Sequence, residues 1–166
     1  MTLARTLFES TPYLRRKRDL LLSIQKAQKE MTGIKKGTSP QSLERLAQES
    51  ADIRGRALYY PALFSGLGRG PLVELVDGSI KYDFITGIGT HYFGHSDLDL
   101  ISTALEAASQ DVIMQGNLQM GLEGQSFLKD LLSMAGAPLK YGWLACSGSF
   151  ANDNALKIIR SKKTPA

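Results

Sequence analysis

The sequence contains one cysteine, one tryptophan and two histidines in 166 residues. A lone Cys146 forms no internal disulfide and builds no zinc knot by itself, which excludes a disulfide scaffold and a cysteine-rich metal module. No apolar run approaches the roughly 18–20 residues needed to cross a bilayer. The opening residues, Met1-Thr2-Leu3-Ala4-Arg5, lack an apolar signal core with a small-residue cleavage site. Internal repeats and low-complexity tracts are missing too. These absences predict a soluble protein of a reducing compartment, the cytoplasm.

What is present is ordinary in amount and uneven in place. Hydrophobic residues make up 43% and charged residues 22%, within the globular range, and the length suits one domain. Residues 1–56 hold twelve Lys/Arg against six Asp/Glu, whereas residues 57–166 hold eight against ten. The basic character therefore belongs to an N-terminal arm. Arg15-Arg16-Lys17-Arg18 and Lys35-Lys36 suit phosphates or anionic surfaces, although a solvated helix face is the plainer reading. No aromatic interleaving or zinc-finger spacing accompanies them, so no nucleic-acid partner is expected.

Hydrophobic period organises the chain. Thr11-Pro12 reads as a helix start, followed by Leu20, Ile24, Ala27 and Met31 at helical spacing until Gly33. A second helix is predicted from Ser39-Pro40, with Leu43, Leu46 and Ala47 on one face, ending near Gly55. Residues 61–71, glycine-punctuated between two prolines, read as a linker. Leu72–Val76 and Ile80–Ile85 flank Asp77-Gly78, which predicts a hairpin with a type I′ turn. After an irregular stretch from Gly87 to His95, Ser96 is expected to cap a helix, with Asp99 as the capping-box acid. Leu98, Ile101, Leu105 and Ala108 would face inward. Another helix is predicted from Glu123 to Ala135, with Leu128, Leu131, Leu132 and Ala135 inward and Gly136 and Pro138 ending it. Tyr141–Cys146 reads as a buried strand, Ser147-Gly148-Ser149 as a tight turn, and Phe150–Arg160 as a helix with Ala151, Ala155 and Ile159 on one side. Only this one buried strand-and-helix unit is visible, so the chain is expected to stop as a second, larger domain begins.

Ser147, Gly148 and Ser149 are the strongest chemical candidates. Glycine allows close approach of a ligand, and the unpaired first-turn amides of a helix suit a phosphate. The competing reading is a helix cap at Ser149. His91 and His95 are four apart, but the glycines among them argue against a helix and no third ligand follows, so no metal is expected. His95 is instead expected to bond loop backbone. Cys146 reads as a small buried strand residue, and Met114, Met120 and Met134 as packing residues. Gly66-Leu67-Gly68-Arg69-Gly70 precedes a strand instead of following one, which inverts the context of a dinucleotide loop.

The order of these pieces resembles the N-terminal portion of class III aminotransferases. Those are fold-type I pyridoxal-phosphate enzymes, among them the ornithine, acetylornithine and 4-aminobutyrate aminotransferases. The resemblance runs through Gly70-Pro71, the Leu72–Phe84 hairpin with Tyr82-Asp83-Phe84, Gly87-Ile88-Gly89, Gly94-His95 and Asn117-Leu118. It closes at Ser147-Gly148-Ser149-Phe150-Ala151-Asn152-Asp153, similar to the family's Ser-Gly-Thr-Glu-Ala-Asn-Glu, then Ala155-Leu156-Lys157 and Arg160. It spans residues 66–161. Phe150 and Asp153 replace glutamates, and Asp97-Leu98 replaces a common His-Pro pair.

The resemblance implies an α/β fold: a basic helical arm over 1–60, part of a small domain over 61–112, and the start of a cofactor-binding large domain over 113–166. It implies pyridoxal 5′-phosphate as cofactor, with Gly148 and Ser149 supplying amides, Ser149 a hydroxyl and Ser147 a third contact to its phosphate. Ile88 would form an apolar wall for the substrate. Transfer of an amino group from an amine or amino acid to a 2-oxo acid, in a homodimer, is the implied activity. The family's Schiff-base lysine falls beyond Ala166, so no catalytic residue is assigned and the chain alone is expected to be inactive. A 2-oxoamine synthase of the same fold group, suggested by the Ser-Gly-Ser-Phe-Ala-Asn turn, and a non-catalytic binding or dimerisation module remain open.

Overall fold

Serine, threonine and proline set where the N-terminal helices begin. A computed structural model of the protein describes residues 2–60, 62–111, 119–136 and 138–163. Met114 and the Asn117-Leu118 pair lie outside them. Helix α1 (Leu3–Phe8) starts at Thr2, whose hydroxyl accepts from the Arg5 amide at 3.3 Å. Helix α2 (Thr11–Lys29) takes Ser10, one residue earlier than expected, as its N-cap, with Pro12 in its first turn. Helix α3 (Pro40–Arg54) begins after Ser39 and stops on Gly55, which adopts a left-handed φ of 69°. The chain divides into two compact units, residues 1–110 and 111–166.

The first unit is built on a three-stranded antiparallel sheet in the order β1-β2-β3. Its strands are β1 (Phe64–Arg69), β2 (Leu72–Leu75) and β3 (Ile80–Tyr82). The linker expected over 61–71 is therefore corrected, since β1 occupies most of it. Its glycines serve the strand. Register slips between Phe64 and Gly68, where Gly66 takes a φ of 102°. Such a bulge absorbs an extra residue at a backbone conformation suited to glycine. Central strand β2 is covered on both faces, since the successive residues Leu72 and Val73 are 8% and 4% exposed. Lys35 bridges to Ile80 with amide–carbonyl bonds of 3.1 and 3.0 Å, which extends the ladder beyond β3.

The hairpin forms where expected, but its turn differs. The Gly78 amide donates to the Leu75 carbonyl at 2.9 Å, and only Gly78, not Asp77, has positive φ. This is a type I turn followed by a left-handed glycine, not type I′. The cause is local: Asp77 Oδ1 accepts from the Ser79 amide at 2.9 Å and the Ser79 hydroxyl at 2.6 Å. Those two bonds tie Asp77 to the residue beyond the glycine and add it to the loop.

Met31 packs with Leu72 and Ile80 in the buried cluster, with Leu67 at its edge. One turn earlier, buried Gln28 donates to the carbonyls of Gly68 at 3.0 Å and Ser96 at 2.7 Å. Helix α5 (Leu98–Ala108) packs on α2, and Lys17 pairs with Glu106 between them. Its cap is Asp97, whose carboxylate accepts from the amides of Asp99 and Leu100 at 3.0 Å, and not Ser96 as expected. Ser96 instead accepts from the Gly68 amide at 3.2 Å, which draws it toward β1 and out of the capping position. Leu98, Ile101 and Leu105 are half-buried, whereas Ala108 is exposed.

In the second unit, α6 (Leu122–Ala135) buries Leu128 and half-buries Leu132, while Leu131 and Ala135 are exposed. Met120 and Met134 are exposed as well, contrary to their expected packing role. The strand expected over Tyr141–Cys146 is not formed: the segment is irregular and Tyr141 is 92% exposed. A strand needs a partner ladder, and among the described residues none is offered. The segment lies along α6, close enough that a Cβ on Gly142 would stand 2.8 Å from Leu128 Cδ2. Helix α7 (Gly148–Lys163) follows. The described residues thus form a mixed α and β structure whose only sheet is antiparallel, and no helix among them is long and apolar enough to cross a membrane.

Candidate functional site

Helix α7 begins at the Ser147-Gly148-Ser149 turn, and its backbone shows what the turn can hold. Ser147 Oγ accepts from the Phe150 amide at 3.2 Å, and the Ser147 carbonyl accepts from the Ala151 amide at 3.0 Å. Ser147, not Ser149, is therefore the cap. The amides of Gly148 and Ser149 meet no acceptor among the described residues. All three residues are exposed, and a Cβ added at Gly148 would meet nothing within 4 Å. Two open amides, the Ser149 hydroxyl and the remaining proton of Ser147 lie at the positive end of a 16-residue helix. That donor set fits a phosphate. Phe150 is 57% exposed and supplies no polar contact behind the turn. Cys146 is exposed, which corrects its reading as a buried strand residue. Lys157 pairs with Asp153 at 2.6 Å on the same helix.

Ile88, the expected substrate wall, belongs to the first unit and is 90% exposed. It stands in the four-residue element α4 (Thr86–Gly89), whose φ values are 51°, 58°, 57° and 84° in succession. Positive φ at a β-branched residue is strained, and strain of this kind concentrates at functional positions. Asp83 holds the turn in place. Its Oδ1 accepts from the amides of Ile85 at 2.8 Å and Thr86 at 3.0 Å, while Oδ2 meets His95 Nε2 at 2.7 Å. These bonds, the His95 bond foremost, hold the Asp83 carboxyl below the usual carboxylate range. His95 bonds loop backbone as expected, its amide donating to the Gly70 carbonyl at 2.9 Å, and its ring makes a further contact. The ring's partner is a carboxylate twelve residues upstream, because the Gly94–His95 backbone docks on Gly70 and turns the ring toward Asp83.

His91 lies on His95 with ring centroids 4.0 Å apart. Both rings and Asp83 line a cavity of about 700 Å³ whose wall also includes Leu58, Tyr59, Tyr60, Phe64 and Arg54. No group of three or more His, Cys, Asp or Glu among the described residues is placed to hold a metal ion. The Asp83–His95 pair was invisible to sequence reasoning because neither residue sits in a regular element. The two docking glycines, Gly70 and Gly94, were its only signal. A smaller cavity of about 440 Å³ in the second unit is lined by Trp143, Ala151, Asn154 and Ile158, and the Ser147–Ser149 turn does not border it. No family model matches this chain, and no curated protein or solved structure is significantly similar to it.

Proposed function

We propose that the chain is the N-terminal portion of a pyridoxal-phosphate-dependent class III aminotransferase of fold type I, transferring an amino group from an amine or amino acid to a 2-oxo acid. The observation that carries this reading is the Ser147-Gly148-Ser149 turn, with two unengaged amides at the head of α7. Gly148 and Ser149 would direct their amides at the cofactor phosphate, and the hydroxyls of Ser149 and Ser147 would complete the contact. When bound, pyridoxal phosphate supplies the electron sink for amino transfer. Ile88, exposed and strained, would shield one side of the substrate from water. No residue of this chain is assigned a catalytic role. Exposed Phe84, Ile85, Ile88, Tyr92 and Phe93, close together in sequence, support a homodimer, since apolar surface of this kind is usually covered by a partner.

Equilibrium dialysis of the whole chain tests this reading. Pyridoxal phosphate is retained and dephosphorylated pyridoxal is not. Ser149→Ala weakens retention about tenfold, the loss expected for one hydrogen bond to a charged group. Equal retention of the two compounds removes the phosphate-turn reading. Borohydride reduction of the mixture followed by peptide mapping labels no single lysine stoichiometrically, and one fully labelled lysine would contradict the absence of a catalytic residue here.

A further inference from the structure

His95 and His91 are stacked but not equally held. His95 is fixed at both ends: its amide donates to the Gly70 carbonyl at 2.9 Å, and Nε2 meets Asp83 at 2.7 Å. The pair is 15% and 14% exposed at its side chains. Among the described residues the His91 side chain makes no hydrogen bond and meets the His95 ring, although its amide donates to the Thr86 carbonyl at 3.0 Å and closes the turn. The His91 ring lies directly against the turn, since a Cβ on Gly87 would stand 2.6 Å from His91 Cδ2. The turn it covers is strained at Thr86 and Ile88, and Asp83 fixes only its leading end, through the amides of Ile85 and Thr86.

We propose that His91 is a proton-operated latch on the left-handed turn. Neutral, its ring rests on His95 and holds residues 86–90 closed against the cavity; protonated, it leaves the stack and the turn opens. Two charged imidazoles 4.0 Å apart repel strongly away from bulk water. Both oxygens of Asp83 are committed to His95, Ile85 and Thr86, so the carboxylate offers His91 no bond. Arg54, at the end of α3, lines the same cavity and brings a positive charge to it, while Tyr59 and Tyr60 supply its phenols. On the far side, Arg69, Asp97 and Asp99 line a separate cleft that borders His95 and not His91. His91 is the less anchored ring and therefore the one that moves. Opening displaces Ile85 and Gly87 from the cavity wall, so access to the cavity becomes pH-dependent. The latch stands independently of the cofactor reading.

Amide and imidazole NMR of the whole chain between about pH 8 and about pH 5, the range in which histidine titrates, tests it. The amides of residues 86–90 move in one transition that coincides with the His91 ring resonances. Below it the His91 amide exchanges with solvent at least about tenfold faster, relative to its intrinsic rate. His91→Phe keeps a ring on the stack without a proton and abolishes the transition. His91→Ala holds the turn at its low-pH position throughout. Turn amides that stay still while His91 titrates, or that move equally in His91→Phe, overturn the latch; the wild-type titration decides this even where a variant fails to fold.

Discussion

Gln28 joins three segments through a single side-chain amide: its own helix, the β1 carbonyl of Gly68 and the loop carbonyl of Ser96. Gln28→Ala leaves both carbonyls without their donor in a buried place, a loss of about 2 kcal/mol in urea unfolding. Asp77 and Asp83 act instead as charged acceptors. Bonds from the Ser79 hydroxyl and amide to Asp77, and from His95, Ile85 and Thr86 to Asp83, lower both carboxyls from the ordinary 3.8. The folded values lie below the unfolded ones, so these groups stabilise the fold above the ordinary carboxylate range. That contribution disappears as pH falls through the depressed values. Acid unfolding followed by circular dichroism should thus begin below about pH 4, and Asp83→Asn should flatten its pH dependence. An unchanged profile in Asp83→Asn would remove the Asp83–His95 pair from the stability account. Little of this was legible beforehand. Asp77-Gly78 announces a turn, but the bonds that decide its type come from Ser79, and Asp83 meets His95 only because two loops fold together.

Elements with local punctuation were read well and those depending on distant partners were not. Helix α3 carries its start in Ser39-Pro40 and its stop in Gly55, and it occupies that span. Strand β1 looked like a linker because Gly66, Gly68 and Gly70 suppress the alternation that marks a strand. Those glycines exist for the bulge and for the close approach of His95 and Gly94, which no local pattern reveals. Tyr141–Cys146 fails in the other direction: its apolar run is compatible with a strand, but without a ladder it lies along α6. The hydrophobic cluster is small, so each member matters. Leu72→Ala should cost about 3 kcal/mol, at the ordinary level for a buried leucine, because Met31, Ile80 and Leu67 cannot all close on the gap. Thermal denaturation checks this, and a cost under about 1 kcal/mol would mean that the cluster does not hold α2 to the sheet.

At the scale of the whole molecule, the proposed contacts fall in different units: Ile88 and, apart from it, the cavity belong to residues 1–110, and the phosphate turn to residues 111–166. The turn was legible because helix starts obey local rules, although the capping hydroxyl proved to be Ser147. The cavity was not, since its walls come from α3, β1, β2 and loop residues, spaced across some forty positions. A homodimer covering the exposed apolar residues near Ile88 should sediment at twice the chain mass, and Ile88→Asp should shift it toward monomer. A monomer at all concentrations would remove the proposed dimer. An amide-resolved NMR titration with pyridoxal phosphate decides the phosphate turn. The Gly148 and Ser149 amides should shift earliest and furthest, inorganic phosphate should move the same pair, and pyridoxal should not. Shifts confined to the basic stretch Arg15–Arg18, with Gly148 and Ser149 unmoved, would contradict it.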